Sequence, residues 1–178
     1  TTNFPYCVGG ILRGMKDGYK EARERVVTAA GKEVELNLVP VLELPTRKIT
    51  IVTHEFTDTE NIGSAKPLPN GEIGMVKLIL KKKNDFPGNV FHESSITKAK
   101  TGDEDVLAEQ EKLQFLAQAD FTYELDVQVL GTETFIGGYK GSWNVPWDVL
   151  VNAKEIVFHV ASREKASDEE MFDLMLNL

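Results

Sequence analysis

The stretch FTYELDVQV, residues 121–129, alternates apolar and polar side chains along its whole length. A period of two is typical of a strand with one buried face and one face in water. A shift of one residue would turn every apolar side chain to the other face, so the pattern also fixes the register. The side chains expected to point inward are Phe121, Tyr123, Leu125, Val127 and Val129.

Other segments predict further strands around this one. Alternation or β-branched composition indicates strands over residues 34–44, with a break at Pro40, and over 48–56, 75–82, 90–97 and 155–161. Pro87-Gly88 predicts a turn that pairs 75–82 with 90–97. The four glycines of residues 131–141 predict tight turns.

Helical periodicity also occurs. Residues 11–30 place apolar side chains on one stripe and end at Gly31, which predicts a long amphipathic helix. Residues 106–118 predict a middle helix, and Pro146 can open a short helix that reaches residue 152. The sequence SDEE at 167–170 is a capping box that predicts a last helix to residue 178.

Strands in runs, without regular alternation with helices, disfavour a doubly wound parallel sheet. The predicted fold class is therefore α+β: a mainly antiparallel β-sandwich or open barrel with N-terminal, middle and C-terminal helices packed on it. The length of 178 residues predicts a single domain, residues 1–178. It would carry a long loop at 57–72 and a polar, acidic connection at 98–106.

The composition limits partners and compartment. A net charge of −8 disfavours nucleic acid as a partner, because phosphate binding needs a basic surface. No run of about 18 apolar residues is present, so no transmembrane segment is expected. The only cysteine, Cys7, excludes an internal disulfide and fits the cytoplasm or another reducing compartment.

The charge is unevenly distributed along the chain. Residues 1–100 carry 15 Lys and Arg against 12 Asp and Glu, a net of +3, whereas residues 101–178 carry 5 against 16, a net of −11. If the two halves lie on different faces, copies of the chain attract one another head to tail. If folding interleaves the halves, the asymmetry disappears.

Motifs for catalysis are absent from the sequence. It contains no GxSxG, and GGYKGSW at 137–143 lacks the spacing of a phosphate-binding loop. His54, His92 and His159 fall on predicted strands, where Asp58 or Glu93 could add an oxygen ligand, but nothing in the sequence shows that they converge. Structural or surface histidines are the simpler interpretation. We expect no catalytic residues, no metal ligands and no cofactor.

Two terminal segments suggest contacts between copies. Small residues recur four apart and give the predicted first helix a smooth edge, which favours close packing against another backbone. The last helix is apolar on more than one face, which suggests a second partner surface or deep burial. The interface candidates are Gly14, Gly18, Ala22, Met171, Phe172, Met175 and Leu178.

Three classes of function remain open from the sequence. The first is a structural or assembly protein that acts as a homo-oligomer, such as a virion, tail or scaffold component. The second is a β-domain that binds a small ligand or lipid, for which Trp143 and Trp147 could form an aromatic platform or plug one end of the core. The third is an enzyme with a His and carboxylate site that the sequence does not reveal.

Overall fold

The computed structural model describes residues 8–27, 33–58, 61–81, 92–101, 104–107, 112–131 and 134–162. Within these residues the chain is nearly all β, with one short helix and one 3-10 turn at Thr46–Lys48. The described elements are β1 (Gly10–Gly14), β2 (Ala22–Val26), β3 (Val41–Pro45), β4 (Ile49–Asp58), β5 (Asn61–Ile62), β6 (Lys66–Pro67), β7 (Ile73–Leu80), β8 (Glu93–Thr101), β9 (Glu104–Leu107), β10 (Lys112–Leu116), β11 (Phe121–Leu130), β12 (Phe135–Val145), α1 (Trp147–Asn152) and β13 (Ile156–Ser162).

The main sheet has nine strands and curls into a half-barrel. Hydrogen-bonded neighbours follow the order β5-β4-β13-β12-β11-β7-β8-β9, and β6 also pairs with β4. Among its described ladders only that of β13 with β4 is parallel. This ladder places residues 156–162 beside residues 49–55, which are far away in the sequence.

Side chains cross the inside of the curl. The buried Nζ of Lys98 on β8 donates to the carbonyl oxygen of Ile49 on β4 at 2.8 Å, although four strands separate β8 from β4 in the sheet order. Gly74 on β7 lies against Ile51 of β4, where a Cβ atom would overlap the isoleucine side chain. A glycine at this position therefore allows the two walls to approach.

The strand at 121–129 is confirmed in extent and register. Its five inward side chains are buried, whereas the polar side chains between them are partly exposed. It pairs with β12 on one side and β7 on the other, which makes it a central strand of the sheet. The predicted pairing of 75–82 with 90–97 is confirmed as the β7–β8 ladder.

A second ladder packs against this sheet. Strands β3 and β10 pair antiparallel, with Leu113 opposite Leu44 and Phe115 opposite Leu42. The backbone N–H of Gln114 on β10 donates to the Ser94 hydroxyl of β8 at 2.8 Å. Leu113 and Phe115 have no exposed surface, so this ladder contributes to the same core.

The α+β prediction is wrong, first at the N-terminal helix. Residues 10–26 form a hairpin of β1 and β2, in which Gly14 pairs with Ala22. The Tyr19 N–H closes the turn on the Lys16 carbonyl at 3.0 Å, and Gly18 adopts a φ of +76° there. Each glycine in a helix costs about 1 kcal/mol relative to alanine. The glycines therefore destabilise the helix that a spacing of four residues suggests.

The predicted middle helix is also wrong, because residues 106–118 contribute to β9 and β10. The helical periodicity of this segment is only moderate. Pairing of β10 with β3 determines its structure instead, and no local pattern in the sequence reveals that pairing. The predicted C-terminal helix lies outside the described residues. The short helix after Pro146 is confirmed as α1.

Two strand predictions need correction as well. Residues 131–141, predicted as tight turns, contribute most of β12, whose glycines lie inside a ladder. The predicted strand 34–44 begins later, since β3 starts at Val41. The predicted loop 57–72 carries the short strands β5 and β6 at the edge of the sheet.

Candidate functional site

The hairpin of β1 and β2, here called the arm (residues 8–27), stands apart from the other described strands. Its two strands form a separate sheet and pair only with each other. Bonds at its turn join it to residues 39–41: Lys20 N–H donates to the Val39 carbonyl at 2.7 Å, and Val41 N–H donates to the Gly18 carbonyl at 2.9 Å. Gly14 lies against the side chains of Leu36 and Leu38. One side of the arm therefore faces residues 33–39.

The other face of the arm is exposed and combines apolar and basic side chains. Ile11 pairs with Arg25 and Arg13 with Arg23, so these four share one face. Ile11 is 67% exposed, and Met15, just beyond β1, is 74% exposed. Exposed large apolar side chains beside arginines are typical of the central part of a protein interface.

One carboxylate lies among these arginines. Glu21 accepts hydrogen bonds from Arg13 Nε at 2.6 Å and from Arg23 Nε at 2.7 Å. The hydrogen bond from Arg13, followed by that from Arg23, lowers the pKa of Glu21 to about 2. The whole arm contains five Lys and Arg residues and three Asp and Glu residues, so its net charge is positive, whereas that of the protein is negative.

Apolar side chains are also exposed on α1 and at the start of β13. Val149 is 61% exposed, and Val151 and Val157 are exposed too. Asp148 and Glu155 belong to the same stretch of chain and are exposed. This segment, residues 147–157, therefore offers apolar surface beside two carboxylates and one exposed cation, Lys154, and its net charge of −1 is opposite in sign to that of the arm.

A cleft opens where β12 and β13 part. The two strands pair only through Gly137 with Ser162 and Gly138 with Ala161. Beyond these pairs lies a cleft of about 220 Å³, lined by residues of β11, β12 and β13. The lining residues are Leu125, Val127, Tyr139, Trp143, Ile156, Val157, Phe158 and His159.

The two tryptophans have different surroundings. Trp143 lines the cleft and makes edge contacts with Phe115 and Phe158, at ring centroid distances of 5.9 Å and 5.5 Å. Trp147 begins α1, and its backbone N–H donates to Asp120 Oδ1 at 2.8 Å. Trp147 is not among the residues that line the cleft. A ligand there would therefore contact Trp143 alone of the two.

Two of the three histidines converge. His54 on β4 and His159 on β13 lie on adjacent parallel strands, and His54 Nε2 is 2.8 Å from His159 Nδ1. His54 Nδ1 is 2.9 Å from the carbonyl oxygen of Gly63. His159 lies on the less buried face of its strand, as predicted. His92 is fully buried elsewhere, where its Nε2 donates to the Gln114 carbonyl at 2.8 Å.

The carboxylates of Glu55, Glu155 and Glu93 have partners other than the histidine pair. Glu55 Oε2 accepts from Lys66 Nζ at 2.9 Å, and Glu155 accepts from the Thr50 hydroxyl. Glu93, a predicted oxygen ligand, is bound to Lys77 at 2.7 Å. In the part of the chain that the structure describes, no three His, Cys, Asp or Glu residues form a group that could hold a metal ion.

The remaining predicted residues divide into two sets. Gly14, Gly18 and Ala22 belong to the arm. Cys7 and the C-terminal candidates Met171, Phe172, Met175 and Leu178 lie outside the described residues. The arginine face was not predicted, and the convergence of His54 with His159 was left open. The alternation of side chains in ILRG (residues 11–14) and ARERV (residues 22–26) could have indicated two strands with the arginines on one face. No local pattern indicates that His54 and His159 meet.

Comparison of the chain with family models, with curated proteins and with solved structures gives no match. Among the described residues, no helix is long and apolar enough to cross a membrane.

Proposed function

We propose that the protein is a non-catalytic structural or assembly protein that acts by binding other copies of itself. The observation that carries this proposal is the arm, a hairpin whose two strands pair only with each other and which exposes Ile11 and Met15 beside three arginines. Soluble monomers rarely leave a large apolar surface uncovered. A hairpin of this kind gains stability when a partner covers its outer face.

Charge favours a second copy as that partner. The arm is net positive, whereas the whole chain carries −8, so the rest of each copy is strongly negative. The segment 147–157 combines exposed Val149 and Val151 with Asp148 and Glu155, and we assign it as the receiving surface. Apolar contact would then supply most of the affinity, and opposite charge would align the copies.

The test is the molar mass of an arm variant in solution. Ile11→Asp with Met15→Asp places two carboxylates on the outer face, and because both side chains are exposed the fold should persist. We expect wild-type protein to form oligomers and the double variant to have the monomer mass of 19.8 kDa, measured by light scattering. A matched control is Ile62→Asp, at a 60% exposed isoleucine of the sheet edge, which should leave the oligomer intact.

An oligomer that survives the double substitution would exclude the arm as the connecting element. If Ile62→Asp and the double variant were both monomeric, the oligomer would be sensitive to added surface charge in general. That result would also contradict the proposal.

A second candidate function is binding of a small apolar ligand in the cleft between β12 and β13. The aromatic side chains of Tyr139 and Trp143 beside His159 are the specific observation in its favour, because small-molecule sites combine apolar walls with few polar groups. Val157→Phe should fill the cleft and reduce binding of an anilinonaphthalene sulfonate probe. Val149→Phe, which lies outside the lining, is the control. Equal probe binding by both variants would exclude the cleft.

A further inference from the structure

The histidine pair has a hydrogen-bond arrangement that fixes where its protons lie. A carbonyl oxygen only accepts, so the contact between His54 Nδ1 and the Gly63 carbonyl requires a proton on Nδ1. In the neutral ring, Nε2 then carries the lone pair. This lone pair faces His159 Nδ1 at 2.8 Å.

This arrangement is also the one by which proteins orient metal-binding imidazoles. A histidine that binds a metal usually donates its other ring N–H to a carbonyl or carboxylate, which fixes the tautomer and the ring direction. His54 has such a bond to Gly63. The parallel ladder places His159 beside it, although 105 positions separate the two residues in the sequence.

We propose that His54 Nε2 and His159 Nδ1 bind a divalent transition-metal ion that prefers imidazole ligands, with Zn²⁺ as the representative ion. Zinc–nitrogen bonds of about 2.0–2.1 Å in tetrahedral geometry separate two ligand atoms by about 3.3 Å. The observed separation is 2.8 Å, so the rings need to part by about half an ångström, and the neutral His159 ring must carry its proton on Nε2 instead of Nδ1, which frees the Nδ1 lone pair for the metal. Both side chains lie partly or fully exposed at the surface, which leaves an entry path.

The proposed site is open. The described residues form no group with a third ligand of the usual types, and the carboxylates of Glu55, next to His54 in the sequence, and of Glu155 are bound to Lys66 and Thr50. Two positions of a tetrahedral ion would then be filled by water or by incoming ligands. His159 also lines the cleft, so a ligand held there would lie next to the metal.

This proposal departs from the expectation of no metal ligands, which rested on spacing along the chain. Spacing cannot show that residues on β4 and β13 meet, because only the parallel ladder brings them together. His92 is not part of the site, since it is fully buried and its Nε2 is bonded to Gln114.

The test is calorimetric titration of the full chain, treated with chelator and then dialysed, with zinc chloride. We expect one equivalent to bind, and we expect His54→Ala and His159→Ala each to lower the affinity by about tenfold or more. Glu55→Gln is the matched control, because it changes an exposed charge next to His54 without removing an imidazole, and it should bind zinc as the wild type does.

Circular dichroism of each variant shows whether it is folded, and His54→Gln and His159→Gln replace any alanine variant that unfolds. The absence of zinc binding by wild-type protein up to millimolar concentration would overturn the proposal. So would binding that both histidine variants retain, or a loss in Glu55→Gln as large as theirs.

Discussion

Tyr123 shows how a single hydroxyl stabilises the core. Its side chain is 1% exposed, and its oxygen accepts a hydrogen bond from the backbone N–H of Leu116 at 3.0 Å. Burial raises the pKa of Tyr123 to about 12, so the hydroxyl stays neutral at physiological pH. The bond connects the end of β10 to β11, and it satisfies an N–H group that water cannot reach.

Tyr123→Phe should therefore destabilise the protein by about 1–3 kcal/mol, because it leaves the Leu116 N–H buried without an acceptor. Chemical denaturation measures this difference in the free energy of unfolding. Tyr139→Phe removes a hydroxyl from a less buried tyrosine of β12 and is the control. Equal stability of the Tyr123→Phe variant and the wild type would contradict the assigned bond.

His92 should make stability depend on pH. Burial lowers the pKa of His92, the hydrogen bond to the Gln114 carbonyl opposes this, and the charge of Lys20 lowers the pKa further. A proton therefore binds the unfolded chain more tightly than the folded one. Stability from this group is fully present above the unfolded pKa near 6.5 and is lost as the pH falls below it.

The free energy of unfolding should accordingly decrease between pH 7.5 and pH 5.5, as measured by urea denaturation at both pH values. His92→Gln keeps a donor for the Gln114 carbonyl and removes the titrating ring, so the comparison isolates the contribution of His92. A pH dependence that is the same in this variant would assign the effect to other groups.

At the scale of elements, β12 and β13 are joined by two residue pairs, and this junction requires that residue 137 has no side chain. A Cβ atom at Gly137 would overlap the carbonyl oxygen of Ala161 and lie 2.9 Å from Ser162 Cα. These neighbours are backbone atoms and cannot rotate away. Gly137 is therefore required where the parallel part of the sheet joins the antiparallel part.

We expect Gly137→Ala to lower the melting temperature clearly and to separate β13 from β12. The control is Gly131→Ala, where the nearest atom is a side-chain methyl of Ile136 at 3.3 Å and a small shift makes room. Thermal unfolding followed by circular dichroism compares the two variants. A Gly137→Ala protein as stable as Gly131→Ala would show that the two strands do not meet as described.

The elements also show how far the sequence predicts this fold. β11 is predictable because apolar and polar side chains alternate along its whole length, a pattern that fits a strand and does not fit a helix. Residues 11–30 fit a helical stripe and two short alternating strands equally well, and the glycines favour the strands. β10 pairs with β3 over about seventy positions, and a partner so distant leaves no trace in local periodicity. For the same reason the histidine pair could not be predicted.

The whole molecule combines a half-barrel core with an arm whose charge is opposite to that of the chain. The core explains stability, since its inward faces are continuous from β4 through β11 to β8. No residue of the arm belongs to that core cluster: the bonds of Gly18 and Lys20 attach the arm at its turn, and Val26 is buried at the other end of the hairpin. The proposed self-association would give the outer face of the arm a function.

The measurement that tests this claim most directly is sedimentation equilibrium of the wild-type full chain at several concentrations and two salt concentrations. We expect a mass above the 19.8 kDa of one copy at micromolar concentration in low salt. Added salt should shift the equilibrium toward monomer, because it screens the attraction between the arm and acidic surfaces. A mass of 19.8 kDa at every concentration in low salt would contradict the account.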